Sequence, residues 1–147
     1  MKVFIPVDDS NGLMFNNRRQ SKDERLREYI TKKCDGNLIW MNSYSAKQFE
    51  EDAFFDENGK ELLIYKSVYE DFLELAKEND YCFVENSSLA QFEEKIDEIY
   101  LCKWNRRYPG DTFFDIDLTN GKWQMDSVDE FPGKSHEKIV VERWKRI

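Results

Sequence analysis

Histidine is almost absent from this chain of 147 residues: His136 is the only one. A metal centre built on several imidazoles is therefore excluded. Cysteine is scarce as well, and Cys34, Cys82 and Cys102 are widely spaced, odd in number and without a CxxC pair. That pattern suggests neither a disulfide framework nor a zinc site, and Cys82 in "YCFVE" and Cys102 in "YLCKW" are expected as buried thiols. There is no long hydrophobic run. The longest apolar stretch, "VFIPV", is far too short to span a bilayer, and the single Lys2 before it does not make a secretory n-region. The expectation is a soluble, cytoplasmic protein with no membrane partner. Repeats, low-complexity tracts and linkers are also missing, so one domain over residues 1–147 is expected.

Aromatic residues are plentiful, with 11 Phe, 7 Tyr and 4 Trp, and the apolar fraction is 40%. Such a chain can bury a real core and is too rich to be disordered. The net charge of −8 conceals an asymmetry. Residues 50–98 hold 16 Asp and Glu against 4 Lys and Arg, while the flanks hold 14 acids and 18 bases. An acidic region of that density repels nucleic acid and attracts basic partners, so general duplex DNA binding is not expected. A local phosphate site is still compatible with it.

Periodicity predicts an α/β layer fold. "KVFIPV", "NLIWM", "YCFVE" and "IDEIYLCKW" read as strands. "SKDERLREYITKK" reads as a helix with Leu26, Tyr29 and Ile30 on one stripe and a capping box of Ser21 and Glu24. "YSAKQFEEDAF", "YEDFLELAKEN" and "SLAQFEEK" read as further helices, the last capped by Ser88. Asn58-Gly59 marks a turn. "TFFDIDL" and "KWQM" read as a hairpin about the Asn120-Gly121 turn, and "KIVVERW" as a last strand. The sum is a mixed sheet with helices in the first two thirds and antiparallel strands at the end.

Topology then gathers the cationic loops. If strand 1 runs parallel to "IDEIYLCKW", the loop with Arg18 and Arg19 and the loop "NRRYPGD" with Arg106 and Arg107 both leave the carboxyl edge of the sheet. The loop "SVDEFPGKSHEK" returns to the same edge with Lys134, His136 and Lys138. Ligands of open α/β sheets bind at that edge, and a helix N-terminus there adds free N–H donors for an anion. The long connection from Asp8 to Gln20 also has the length of a binding loop. These observations give candidate anion ligands Arg18, Arg19, Gln20, Ser21, Asn105, Arg106, Arg107, Lys134, Ser135 and Lys138. His136 is a candidate acid or base, and Asp8 and Asp9, at the end of strand 1, can orient an arginine or act as a base. Each element also has a plainer explanation: the arginines as surface ion pairs, the histidine as a structural hydrogen-bond partner.

Two motifs are set aside. "GKS" at Gly133, Lys134 and Ser135 is not a Walker A motif, because Val128 stands where its first glycine belongs. Asp115 and Asp117 in "DID" share a strand face and can hold Mg²⁺, yet alternation with Phe114, Ile116 and Leu118 equally makes them a solvated face. No resident metal or cofactor is expected.

The stretches "MFNNRRQSKD", "MNSYSAKQF", "YCFVE", "KWNRRYPGDTFFDIDL" and "EFPGKSHEKI" resemble a small bacterial family of single-domain proteins, some of which carry the label ribonuclease Z. The resemblance covers most of the chain. It implies that Arg18, Arg19, Gln20, Ser21, Asn105, Arg106, Arg107, Ser135, His136, Glu137 and Lys138 belong to the family pattern. The chemistry of true ribonuclease Z, with two zinc ions on an HxHxDH motif and further histidines, is excluded by the single His. The opening "MKVFIPVDDSNGL" is also similar to the first strand and turn of the small nitrogenase-cofactor-binding domains, without the histidine-containing stretch that follows there. Two functions are consistent with all of this. One is a protein that binds a small phosphorylated ligand, a nucleotide or an RNA end, with action on a phosphodiester as its chemical extension. The other is an acidic inhibitor or immunity protein whose residues 50–98 cover a basic nuclease toxin.

Overall fold

A computed structural model describes all 147 residues. In chain order the strands and helices are β1 (Lys2–Val7), β2 (Gly12–Phe15), β3 (Arg18–Arg19), α1 (Glu24–Cys34), β4 (Leu38–Met41), α2 (Ser43–Ala46), β5 (Phe54–Phe55), β6 (Glu61–Leu62), β7 (Tyr65–Val68), α3 (Phe72–Leu75), β8 (Tyr81–Phe83), β9 (Glu98–Lys103), β10 (Thr112–Phe113), β11 (Trp123–Phe131) and β12 (Ile139–Arg146). Seven of the strands make one mixed sheet in the order β11-β12-β9-β1-β8-β4-β7. β1 lies between β8 and β9 and is parallel to both, β4 is parallel to β7 and β8, and β12 is antiparallel to β9 and β11.

The apolar runs of the central strands are continuous because both faces of the sheet are covered. On one face Val3, Ile5 and Val7 of β1 pack with Ile99 and Leu101 of β9, Phe72, Leu89, Phe114, Ile116 and Trp123. On the other, Phe4, Tyr100, Cys102, Phe83 and Met41 pack under Leu26, Ile30 and Cys34 of α1. Phe4 stacks on Tyr100 with ring centroids 4.6 Å apart. Burying a side chain of this size contributes about 1.5–3 kcal/mol. The three cysteines are free and buried, and burial pushes the Cys34 and Cys82 thiols up to about 12.

Several expected elements form differently. The first helix is capped by Asp23, not Ser21, because the Asp23 carboxylate accepts from the Arg25 amide. The long helix expected over "YEDFLELAKEN" shrinks to Phe72–Leu75, since Asp80 turns the chain by accepting from the Lys77 amide while holding the Trp40 indole. "SLAQFEEK" forms a 3₁₀ turn over Ala90–Lys95. Its start is held by Asp115, which accepts from the Leu89 and Ala90 amides and from the Ser88 hydroxyl. That pull, with Phe114 and Ile116 in the core, also prevents the expected hairpin of "TFFDIDL" with "KWQM". The terminal hairpin instead joins β11 to β12, and "SVDEF" is part of β11. Asp117 accepts from the Thr119 amide and hydroxyl, so Asp115 and Asp117 serve separate turns.

The connection from Asp8 to Gln20 is a folded hairpin. β2 pairs with β3 across the two-residue turn Asn16-Asn17, both in the left-handed region at φ 51° and 60°. Such a turn requires two positive φ values, which asparagine tolerates better than most residues. β10 adds to the same small sheet.

Candidate functional site at the carboxyl edge of the sheet

The directions of β1, β9 and β11 bring their following loops to one edge as expected, although β11 reaches it by pairing with β12 and not through the expected hairpin with "TFFDIDL". Three hydrogen-bonded clusters stand there.

The first is centred on Asp23. Its carboxylate caps α1 and also accepts from the amides of Lys134 and Ser135, each at 2.9 Å, and from His136 Nδ1 at 2.8 Å. Burial alone would raise this carboxyl, but the Lys134 amide, the His136 ring and the Ser135 and Arg25 amides hold it down to about 2. Gly133 makes the close approach possible, since a Cβ there would sit 2.7 Å from Asp23 Oδ2 and 2.7 Å from the His136 carbonyl. The His136 ring is buried and stacks on Trp104 at 4.5 Å. Because Nδ1–H donates to Asp23, Nε2 is left as the acceptor facing Ser21 Oγ at 2.9 Å and the Tyr108 hydroxyl at 3.0 Å.

The second cluster is a clasp. Buried Asp8 accepts from the amides of Gly12, Ser10 and Tyr108 and from Gln20 Nε2, which also donates to the Pro109 carbonyl. It ties the loop after β1 to the loop after β9. Asp9 is exposed, and its amide donates to the Arg106 carbonyl.

The third holds Arg19. Its guanidinium forms two hydrogen bonds with Glu85, at 2.8 and 3.1 Å, and lies over the Tyr44 ring. Glu85 is buried and accepts from Ser45 and Gln48 as well. The forked geometry is that of a strong arginine–carboxylate pair.

These placements divide the candidate residues. Asn105, Arg106, His136 and Lys138 line one cavity of about 450 Å³, with Trp104 and Glu137. Arg107 and Asp8 line a neighbouring one of about 410 Å³ with Ser10, Tyr108, Pro109, Gly110 and Phe113. Arg18 and Arg19 line neither, so Arg106 and His136 share a pocket but the expected convergence of Arg18 or Arg19 on it does not occur; Arg19 is turned to Glu85. Lys134 pairs with Glu24, and Ser135 binds Asp23 and the Lys22 carbonyl. Lys138 lies 3.5 Å from Glu130, and its carbonyl accepts from Asn105, which joins the two walls of the first cavity. Arg106 and Arg107 have no carboxylate within 4 Å, and the Arg106 guanidinium lies 6.0 Å from the Tyr108 ring. No group of three or more His, Cys, Asp or Glu side chains is placed to hold a metal ion. No helix is long and apolar enough to cross a membrane.

Asp23, Trp104, Tyr108 and Glu85 escape the sequence reading. Asp23 had a visible signal, since Ser21-Lys22-Asp23 offers two N-cap residues before the Leu26 stripe and aspartate is at least as good a cap as serine. Glu85 is an acid directly after an all-buried strand, which calls for a partner.

No family model matches the chain, and no curated protein does. Among solved structures it is similar to dihydrofolate reductase from Enterococcus faecalis complexed with NADP(H) and RAB-propyl, at 15% identity. The match covers 99% of this chain and 96% of that one with a TM-score of 0.63, so the two share a fold.

Proposed function

We propose that this protein binds a phosphate-containing ligand, a nucleotide or the end of an RNA, in the cavity between the loops after β9 and β11. The observation that carries the reading is Arg106: a guanidinium without a carboxylate partner, on the wall of a 450 Å³ cavity lined also by Trp104, Asn105, His136, Glu137 and Lys138. In a chain with net charge −8, an arginine left without a carboxylate partner is available for an anion. The cavity size suits a group as large as a mononucleotide. That a reductase of the same fold is complexed with NADP(H) supports a nucleotide on this architecture. Arg107, on the adjoining cavity, can meet a second phosphate. Action on a phosphodiester would place His136 as acid or base. Thermal unfolding of the purified protein with nucleoside mono-, di- and triphosphates, NADPH and short RNAs tests the reading. A ligand at a hundred times its Kd stabilises by about 2.7 kcal/mol, whereas an unchanged midpoint across the panel rejects it.

A second reading concerns the acidic region and has its own observation. Leu63, Tyr65, Val68 and Tyr69 are exposed there, on and beside β7 at the free edge of the sheet, and Phe55 is exposed on β5. An apolar patch on an open edge within a region of charge −12 suits a basic protein partner, as an inhibitor or immunity protein would need. Reversing the exposed Glu50, Glu51 and Glu94 would then slow association with a basic nuclease, most at low salt.

A further inference from the structure

The hydrogen bonds around His136 join a hydroxyl pair on one ring nitrogen to a carboxylate on the other. His136 Nε2 faces two hydroxyls, Ser21 Oγ at 2.9 Å and Tyr108 at 3.0 Å, which lie 3.4 Å from each other, and His136 Nδ1 faces Asp23 Oδ2 at 2.8 Å. Exposure falls along the same line: Ser21 is partly open to solvent, His136 is buried, and Asp23 is buried with its carboxylate fixed by three backbone amides. The ring cannot turn away, because Trp104 stacks on one face. A capping and clamping role accounts for Asp23 and for the Nδ1 side of the ring. It does not account for a partly exposed serine whose hydroxyl, beside that of Tyr108, faces the other nitrogen of an imidazole oriented by a carboxylate.

We propose that Ser21 is a nucleophile, with His136 as its general base and Asp23 as the group that orients the imidazole, and that the protein accepts an acyl group from small activated carboxylic esters. The roles follow from geometry alone, as they do in other serine–histidine–aspartate sets on unrelated folds. In the first step Ser21 Oγ bonds to the ester carbonyl carbon while its proton passes to His136 Nε2. The tetrahedral adduct collapses, the bond to the leaving oxygen breaks, and the imidazolium returns the proton to that oxygen, releasing an alcohol. Water then repeats the sequence on the acyl-Ser21, giving a carboxylic acid and free Ser21, with no oxidant or metal required. The Tyr108 hydroxyl is the side-chain donor closest to the reacting oxygen. This inference does not depend on phosphate binding, which is read by ligand-induced stabilisation and not by chemistry at Ser21.

The test is covalent labelling of the purified full chain with a fluorophosphonate probe, read by intact mass and peptide mapping. One adduct on Ser21, absent from Ser21→Ala and formed at least about 100-fold more slowly by Asp23→Asn, is the expected result. No adduct, or an adduct that maps to Tyr108 or persists in Ser21→Ala, overturns the proposal. Because Asp23→Asn can also loosen the fold, Ser21→Cys gives a second reading. A cysteine beside His136 should be alkylated by iodoacetamide at least about tenfold faster than the same cysteine in a His136→Gln background, through a thiolate–imidazolium pair. Equal rates in the two backgrounds overturn the assignment of His136 as the base.

Discussion

Replacing Asp23 by Asn isolates what the carboxylate does beyond capping. Asparagine is as good an N-cap as aspartate, so the first turn of α1 is kept. The charge is lost, however, and three donors outside the helix depend on it: the Lys134 and Ser135 amides and His136 Nδ1. Hydrogen bonds to a charged acceptor contribute about 1.5–3 kcal/mol against about 0.5–1.5 for neutral ones, and the Asn amide would also present its own N–H groups to one of these donors. The expected cost is about 2–4 kcal/mol, or about 5–12 °C in Tm for a chain of this length. The sign of the pH dependence follows from the carboxyl's depression to about 2 from its ordinary 3.8. Stability from the ionised group is complete above the unfolded value and is lost as pH falls through the folded one, over the interval between 3.8 and about 2. Over that interval the wild type should lose roughly 1–2 kcal/mol that Asp23→Asn does not have to lose, so the gap between their urea midpoints should narrow. Parallel curves down to the acid end, or a cost below about 0.5 kcal/mol at neutral pH, would refute the clamp.

Three other outcomes are expected. Gly133→Ala should destabilise by about 1–3 kcal/mol in urea titration, since the added Cβ meets a backbone carbonyl that cannot move without pulling His136 off Asp23. Glu85→Ala should cost about 3–5 kcal/mol, because Arg19, Ser45 and Gln48 all lose their shared acceptor; a cost under about 1 kcal/mol would show the pair to be a surface contact. Phe4→Ala, which empties a site between Tyr81 and Tyr100, should cost about 3–5 kcal/mol by the same assay.

The sheet was legible because burial on both faces writes continuous apolar runs such as "KVFIPV" and "YCFVE", and because parallel strands alternating with helices leave few topologies. The carboxyl-edge grouping of the loops after β1 and β9 followed from strand direction; the loop after β11 reaches the same edge by another route, because β11 pairs with β12, which is antiparallel to β9, and not through the expected hairpin of "TFFDIDL" with "KWQM". The short helices were not legible, since propensity over "YEDFLELAKEN" carries no information about Asp80 reaching back to the Lys77 amide and across to Trp40. Nor was the division among the arginines. Arg19 and Arg106 look alike as residues in cationic pairs, and what separates them is Glu85, which lies 66 residues from Arg19 and meets it only in the folded chain. Asp23 was hidden for a local reason: Ser21 and Asp23 compete for one cap, and the loser became free to face His136.

The central claim is that Arg106 and its neighbours hold phosphate, and isothermal titration of a nucleoside triphosphate into the wild type, Arg106→Lys and Arg106→Ala measures it most directly. The account predicts binding by the wild type that weakens with added salt. Arg106→Lys, which keeps the charge but loses the planar fork, should weaken it, and Arg106→Ala should weaken it further, by at least about tenfold or about 1.4 kcal/mol. Equal affinity in all three proteins, or no heat of binding to the wild type, would contradict it.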